Sequence, residues 1–113
     1  MLEWLQEWYK TQCNGDWEHD HVIKIETLDN PGWYVEIDFN NTNCEIKDSK
    51  WNLYELNDNN WIGYKIENNV YSASGDFLKL TLILKIFNFL MLKNNNNTID
   101  NFINQELNQD KIR

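Results

Sequence analysis

Hydrophobic residues recur along this chain in two rhythms. Between Leu2 and Gln12 they return every three or four positions: Leu5, Trp8, Tyr9 and then Cys13, with Glu3, Gln6, Glu7 and Lys10 between them. That period predicts an amphipathic helix. Asn14-Gly15 closes it, because both residues tolerate the left-handed backbone that ends helices. Trp4 falls beside the stripe. The period then drops to two. Val22–Asp29 sets Ile23, Ile25 and Thr27 against Lys24 and Glu26, and Trp33–Asn40 sets Trp33, Val35, Ile37 and Phe39 against Tyr34, Glu36 and Asp38. Asn30-Pro31-Gly32 between them is a turn signal, since Pro presets φ and Gly accepts a positive φ. An antiparallel hairpin with one buried and one wet face follows.

A polar stretch, 41–50, leads to a second strand pair, Trp51–Leu56 and Trp61–Glu67, joined across Asn57-Asp58-Asn59-Asn60. Asn68-Asn69 turns into a short fifth strand, Val70–Ser74. Gly75-Asp76 then opens the most apolar stretch, Phe77–Leu92. Leu80, Ile83, Leu84, Phe87, Leu90 and Met91 fall on one face of the predicted helix. Leu78, Leu82, Ile86 and Phe89 carry its apolar surface round the other sides, so it must be covered on most of them. Asn94–Asn97 is a low-complexity break. Thr98–Asp110 suits either a second short helix, through Ile99, Phe102, Ile103 and Leu107, or a frayed tail. The expected fold is α+β. An N-terminal helix precedes an antiparallel meander sheet of four or five strands, and the apolar C-terminal helix packs on that sheet. Residues 1–93 form the expected domain. Residues 94–113 form an Asn-rich extension, partly helical or disordered.

The chain's 113 residues are enough for one domain with one core. With 42% hydrophobic residues, among them 6 Trp, 5 Tyr and 5 Phe, it is no disordered acidic tail. The formal net charge of −8 argues against nucleic acid or an anionic membrane as partner, since both need a positive field. The charge is lopsided. Residues 1–40 hold Glu3, Glu7, Asp16, Glu18, Asp20, Glu26, Asp29, Glu36 and Asp38 against Lys10 and Lys24 alone. Trp4, Trp8, Trp17, Trp33, Tyr34 and Phe39 lie in the same region. Carboxylates that steer and aromatics that anchor make a binding surface for a basic protein. The plainer alternative is aromatic core beneath a solvated acidic face. Phe77–Leu92 carries Lys79 and Lys85 and is too short for a membrane span. With no signal peptide in MLEWLQEWYK, the expected location is the cytoplasm. Cys13 and Cys44 lack metal or redox spacing, which suits two reduced thiols there, with a disulfide between them as the alternative.

Candidate chemistry is sparse. Asp16-Trp17-Glu18-His19-Asp20-His21 is the densest run of potential ligands. On an extended segment His19 and His21 would point the same way, with a carboxylate to complete a metal site. The competing reading is a polar loop between helix and strand. Ser49, Ser72 and Ser74 sit in no nucleophile motif, and Cys13 and Cys44 in no glycine-rich catalytic loop. Gly15, Gly32, Gly63 and Gly75 are isolated, so no phosphate-cradling loop exists and no cofactor is expected.

Several runs together resemble one family. They are Leu2-Glu3-Trp4-Leu5-Gln6 with Trp8-Tyr9, then Cys13-Asn14-Gly15-Asp16-Trp17-Glu18-His19, then Ile23 to Trp33 with its Asp29-Asn30-Pro31-Gly32-Trp33 turn, and Val35-Glu36-Ile37-Asp38. Asn60-Trp61-Ile62, Gly75-Asp76 and Ile83-Leu84 with Ile86-Phe87 are later echoes. Over residues 2–90 the chain resembles the immunity protein 53 family, and the Asn-rich tail has no counterpart in that pattern. The resemblance implies a small bacterial protein of a polymorphic toxin system, made beside a secreted or contact-delivered toxin. Such proteins bind the toxin domain and turn over no substrate. Many of these toxins are nucleases, whose basic clefts suit an acidic inhibitor. The expected partner is therefore a cognate, basic toxin domain, and the chain itself a monomer or weak dimer. Glu18, Asp20, Glu36 and Asp38 are the candidate charges, and Trp17 and Tyr34 the candidate anchors. Trp8 and Trp33 are expected in the core. The alternatives are a small enzyme using carboxylates or the Cys/His set, and a self-associating interaction protein.

Overall fold

The computed structural model describes residues 1–92 and 96–112, with side chains for all of these except 96–98 and 109–112. Asn94 and Asn95 of the expected Asn-rich break lie outside the described residues. Helix α1 (Leu2–Gln12) leads through a single helical turn, α2 (Trp17–Asp20), to strands β1 (Ile23–Leu28), β2 (Gly32–Asp38), β3 (Ser49–Asn57), β4 (Asn60–Glu67) and β5 (Val70–Gly75), then helices α3 (Leu80–Met91) and α4 (Asn96–Ile112). All pairings are antiparallel and the strand order is β1-β2-β5-β4-β3. Strands β3, β4 and β5 run as a meander. The 39–48 loop carries the chain past two strand positions to the far edge, which is why β5 returns beside β2. Cys44 and Ile46 of that loop pack against the core. Both cysteines are free thiols.

Register fixes the two faces. Ile37, Tyr71 and Ile66 are aligned across the sheet, as are Val35, Ala73 and Tyr64. These six belong to one buried cluster with Leu5 and Trp8 of α1, Trp17 of α2, six residues of α3, and Ile99, Ile103 and Leu107 of α4. All four helices therefore contribute to a core on one side of the sheet. Phe87 is its hub. Its ring lies 5.3 Å from those of Trp8 and Tyr71, 5.9 Å from Phe39 and 6.0 Å from Trp4. The Tyr71 hydroxyl, inside this apolar volume, donates to the Ile83 carbonyl at 2.7 Å, as a buried hydroxyl must.

The apolar helix starts three residues later than its pattern predicts. The carboxylate of Asp76 accepts the Leu78 amide at 2.9 Å and the Trp61 amide at 2.9 Å, and its carbonyl accepts the Lys79 amide. Those bonds form a turn before the helix, so Phe77 and Leu78 stay outside it and exposed. Lys79 is 1% exposed and pairs with Asp76 at 2.8 Å.

Helix α4 is stitched on by specific contacts. Phe102 stacks on Phe89 at 4.7 Å, Tyr54 donates its hydroxyl to Asp100, and Asn60 Nδ2 donates to the Leu107 carbonyl at 3.1 Å. Gly32 does not use a positive φ in the β1–β2 turn. It is required by proximity, since a Cβ there would come within 2.4 Å of the Gly75 carbonyl oxygen. The β4–β5 turn does use the left-handed region, at Asn68 (φ 53°) and Asn69 (φ 62°), which matches the twist of a two-residue hairpin loop.

Candidate functional site

The 14–21 segment is organised by its own side chains. Asn14 Oδ1 accepts the amides of Asp16 and Trp17, each at 2.9 Å. The Glu18 carboxylate reaches back to the amides of Asn14 (3.0 Å) and Gly15 (2.9 Å). A backbone hydrogen bond to its own residue, with those from Asn14 and Gly15, outweighs the opposing effect of burial and holds the Glu18 carboxyl below the usual range. Glu18 is therefore committed to loop geometry as well as to charge. Asp20 is exposed. His19 lies in helix α2 and His21 is the extended residue that caps its end, so the two do not sit on one extended segment as the metal-site reading requires. Among the described residues no group of three or more His, Cys, Asp or Glu could hold a metal ion.

Trp17 is 5% exposed and belongs to the core. Its ring meets Trp8 edge-on at 6.0 Å and His21 at 5.1 Å, and its Nε1 donates to the Asn40 carbonyl at 2.9 Å. The expectation that it anchors a partner gives way to this burial, since the ring has almost no surface to offer. Tryptophans on a loop and in a core share one pattern in sequence; only the tertiary contact to Asn40 separates them.

Asp38 closes a polar network at the end of β2. Its Oδ2 accepts from His21 Nδ1 at 2.9 Å, and its Oδ1 accepts from the backbone and side-chain nitrogens of Asn40, each at 2.9 Å. Burial pushes the Asp38 carboxyl up, but the bonds from His21 and Asn40 together outweigh it and hold it below the usual range. With Nδ1 donating, His21 Nε2 in the neutral ring accepts from Asn41 Nδ2 at 3.3 Å. Both ring nitrogens thus serve structure. A shallow cleft of about 170 Å³ beside them is lined by Asn14, Asp16, Trp17, Asp20, His21 and Asn41. The Cys13 thiol points elsewhere, to the Tyr9 carbonyl at 3.3 Å.

Tyr34 and Glu36 stand on the sheet face away from the helices, both half-buried. The Tyr34 hydroxyl donates to Glu36 Oε1 at 2.7 Å. Burial, and then the neighbouring carboxylate, raise the tyrosine above its ordinary pKa, so it stays a neutral donor. Of the six expected residues, the structure sets Tyr34, Glu36 and Asp38 along one strand, Glu18 and Asp20 on the adjacent turn, and Trp17 beneath.

Residues 2–91 match the family model for immunity protein 53. The chain belongs to the immunity protein 53 family. No curated protein and no solved structure matches it. The match to the immunity protein 53 model takes in α1 through α3 and ends before α4. The whole sheet and every candidate residue lie inside the family region. Sequence reasoning missed Trp51, which is exposed on the same sheet face as Tyr34. Its strand shows an alternating pattern, and nothing in that pattern says which side the helices cover.

Proposed function

We propose that this protein neutralises a cognate toxin domain by binding it stoichiometrically and masking its working surface, without turning over a substrate. Membership of an immunity protein family carries this reading. The lopsided charge supports it, since nearly all of the net −8 lies in residues 1–40. Carboxylates such as Glu18, Asp20, Glu36 and Asp38 would steer a basic partner, a nuclease domain being the kind that fits best. Electrostatic steering raises association rates by orders of magnitude at low salt. The commitment of both His21 nitrogens to Asp38 and Asn41 favours binding over catalysis. No helix of the described residues is long and apolar enough to cross a membrane. A cytoplasmic monomer or weak dimer, meeting the toxin at its place of synthesis or entry, completes the proposal.

The test is a titration against the toxin domain encoded beside this chain's gene. Inhibition should be complete at one equivalent, with an association rate that falls as salt is raised. Inhibition by a small fraction of an equivalent would mean turnover and would sink the binding mechanism. No inhibition and no complex at one equivalent or above would sink the immunity reading itself.

A further inference from the structure

The sheet face without helices has a defined relief. One transverse row reads Glu26, Tyr34, Ser74, Gly63, Leu53, and the next reads Lys24, Glu36, Ser72, Lys65. Strand β5, in the middle, presents only serines in these rows, so the surface is low there. Tyr34 rises on one side. On the other, the Trp51 ring lies against Gly63, where a Cβ would meet ring atoms at 2.3 Å. Only Gly at 63 lets the indole settle on the strand. Of the six tryptophans Trp51 alone is exposed, at 46%, and Leu53 beside it is 53% exposed. The strands of Tyr34 and Gly63 are two spacings apart, or about 10 Å. That width takes one long side chain between the two rings.

The charge on this face chooses the occupant. Glu26, Glu36, Asp38, Glu55 and Glu67 outnumber Lys24, Lys65 and Lys50, the last at the β3 bulge. Lys24 and Lys65 are drawn toward Glu26 (3.9 Å) and Glu67 (3.7 Å). Among the described residues no cation lies within ion-pair distance of Glu36. A second copy of this chain would bring the same carboxylates to the same face, which like-charge repulsion disfavours. A guanidinium group suits it well, because it pairs with carboxylates and stacks on aromatic faces.

We infer that the toxin docks on this uncovered sheet face, an arginine-bearing basic surface lying over Ser72 and Ser74 with its cation at the Tyr34–Glu36 pair and its apolar neighbours against Trp51 and Leu53. This inference rests on the immunity reading above. It moves the aromatic anchor from Trp17, which is buried, to Trp51, which is not.

The experiment measures binding of the toxin domain encoded beside the gene to the full-length chain and to variants whose thermal unfolding matches wild type. Trp51→Ala should weaken the complex by about thirtyfold or more, as for a central aromatic anchor. Trp51→Phe should recover most of that loss. Glu36→Gln should cost about tenfold and flatten the salt dependence of association. Leu53→Asp, at an exposed position, should weaken binding even if Trp51→Ala folds poorly. Acrylamide quenching of the exposed indole should fall in the complex. If wild type binds while Trp51→Ala, Leu53→Asp and Glu36→Gln all bind within about twofold of it and quenching is unchanged, the docking face is wrong and the immunity reading stands. If wild type itself does not bind, the immunity reading falls first and this inference with it.

Discussion

Val35, Ile37, Ile62, Ile66, Tyr71 and Ala73 line the helix side of the sheet and are at most 2% exposed. One residue along the same strands, the opposite side carries Tyr34, Glu36, Ser72, Ser74, Gly63 and Lys65, with Trp51 laid across from the edge. The backbone is shared, so the difference is one of constraint. On the helix side each side chain is held by several neighbours, and packing there resembles an organic solid. On the other side contacts are few and lie within the sheet, as between Tyr34 and Glu36 or Lys65 and Glu67, and residue identity is free to answer to something outside the molecule. A tryptophan means opposite things in the two places. Trp17 closes the core against Trp8 and Asn40, while Trp51 covers a glycine and faces solvent.

The two tryptophans give the sharpest way to break this comparison. Trp17→Ala should cost about 3–5 kcal/mol, as for large-to-small core changes, and chemical denaturation would show it. Trp51→Ala should leave stability within about 1 kcal/mol. Equal losses at both positions would mean the uncovered face is also part of the core. Next is the ion pair beneath the apolar helix. Lys79→Met removes the cation 2.8 Å from a carboxylate that is almost fully buried. A loss of about 3 kcal/mol is expected, because a buried charge is left without its partner. Lys24→Met, at an exposed pair on the other face, should change stability by less than about 0.5 kcal/mol.

Asp38 sits where the two sides meet, and its effect is smaller and depends on pH. Its folded pKa lies below that of the unfolded chain. Its stabilisation is therefore fully present above the unfolded value, near pH 4, and is lost as pH falls through the folded value. In Asp38→Asn, stability measured from pH 6 downward should show a shallower acid slope than wild type. An unchanged slope would mean that His21 and Asn40 do not hold the carboxylate as described. The smallest effect belongs to Leu53→Ser, an exposed change that should shift unfolding by no more than about 0.5 kcal/mol. A larger loss would show that the uncovered face does more for the fold than its exposure suggests.

Much of this architecture was legible in the residues. The three-four rhythm of Leu5 and Trp8 marks α1, and the strict alternation of Val35, Ile37 and Phe39 marks both β2 and its buried side. Short links account for the β1–β2, β3–β4 and β4–β5 pairings. What sequence could not show depends on distant contacts. The place of β5 between β2 and β4 follows from where the 39–48 loop crosses, which periodicity does not record. Ile25 keeps the core-facing parity of its strand yet is 40% exposed, because β1 is an edge. Phe77 and Leu78 continue the apolar run but fall outside the helix, since Asp76 takes the amide of Leu78. Among the candidate residues, Tyr34 and Glu36 were placed on the wet side by alternation alone. The fate of Trp17 turned on a bond to Asn40, twenty-three residues away.

The strand order also governs how the sheet is completed. The β1–β2 hairpin and the β3–β4–β5 meander are each local in sequence, and one seam joins them, β2 against β5, where Trp33 meets Gly75 and Ile37 meets Tyr71. Loop closure across that distance is entropically expensive, so formation of the seam is expected to be the slow step. Substitutions along the seam, such as Val35→Ala, should therefore slow refolding, while changes in the β3–β4 turn mainly speed unfolding. The central strand is the last of the five to be made. During synthesis the first hairpin must wait with an unpaired edge until residue 75 has left the ribosome.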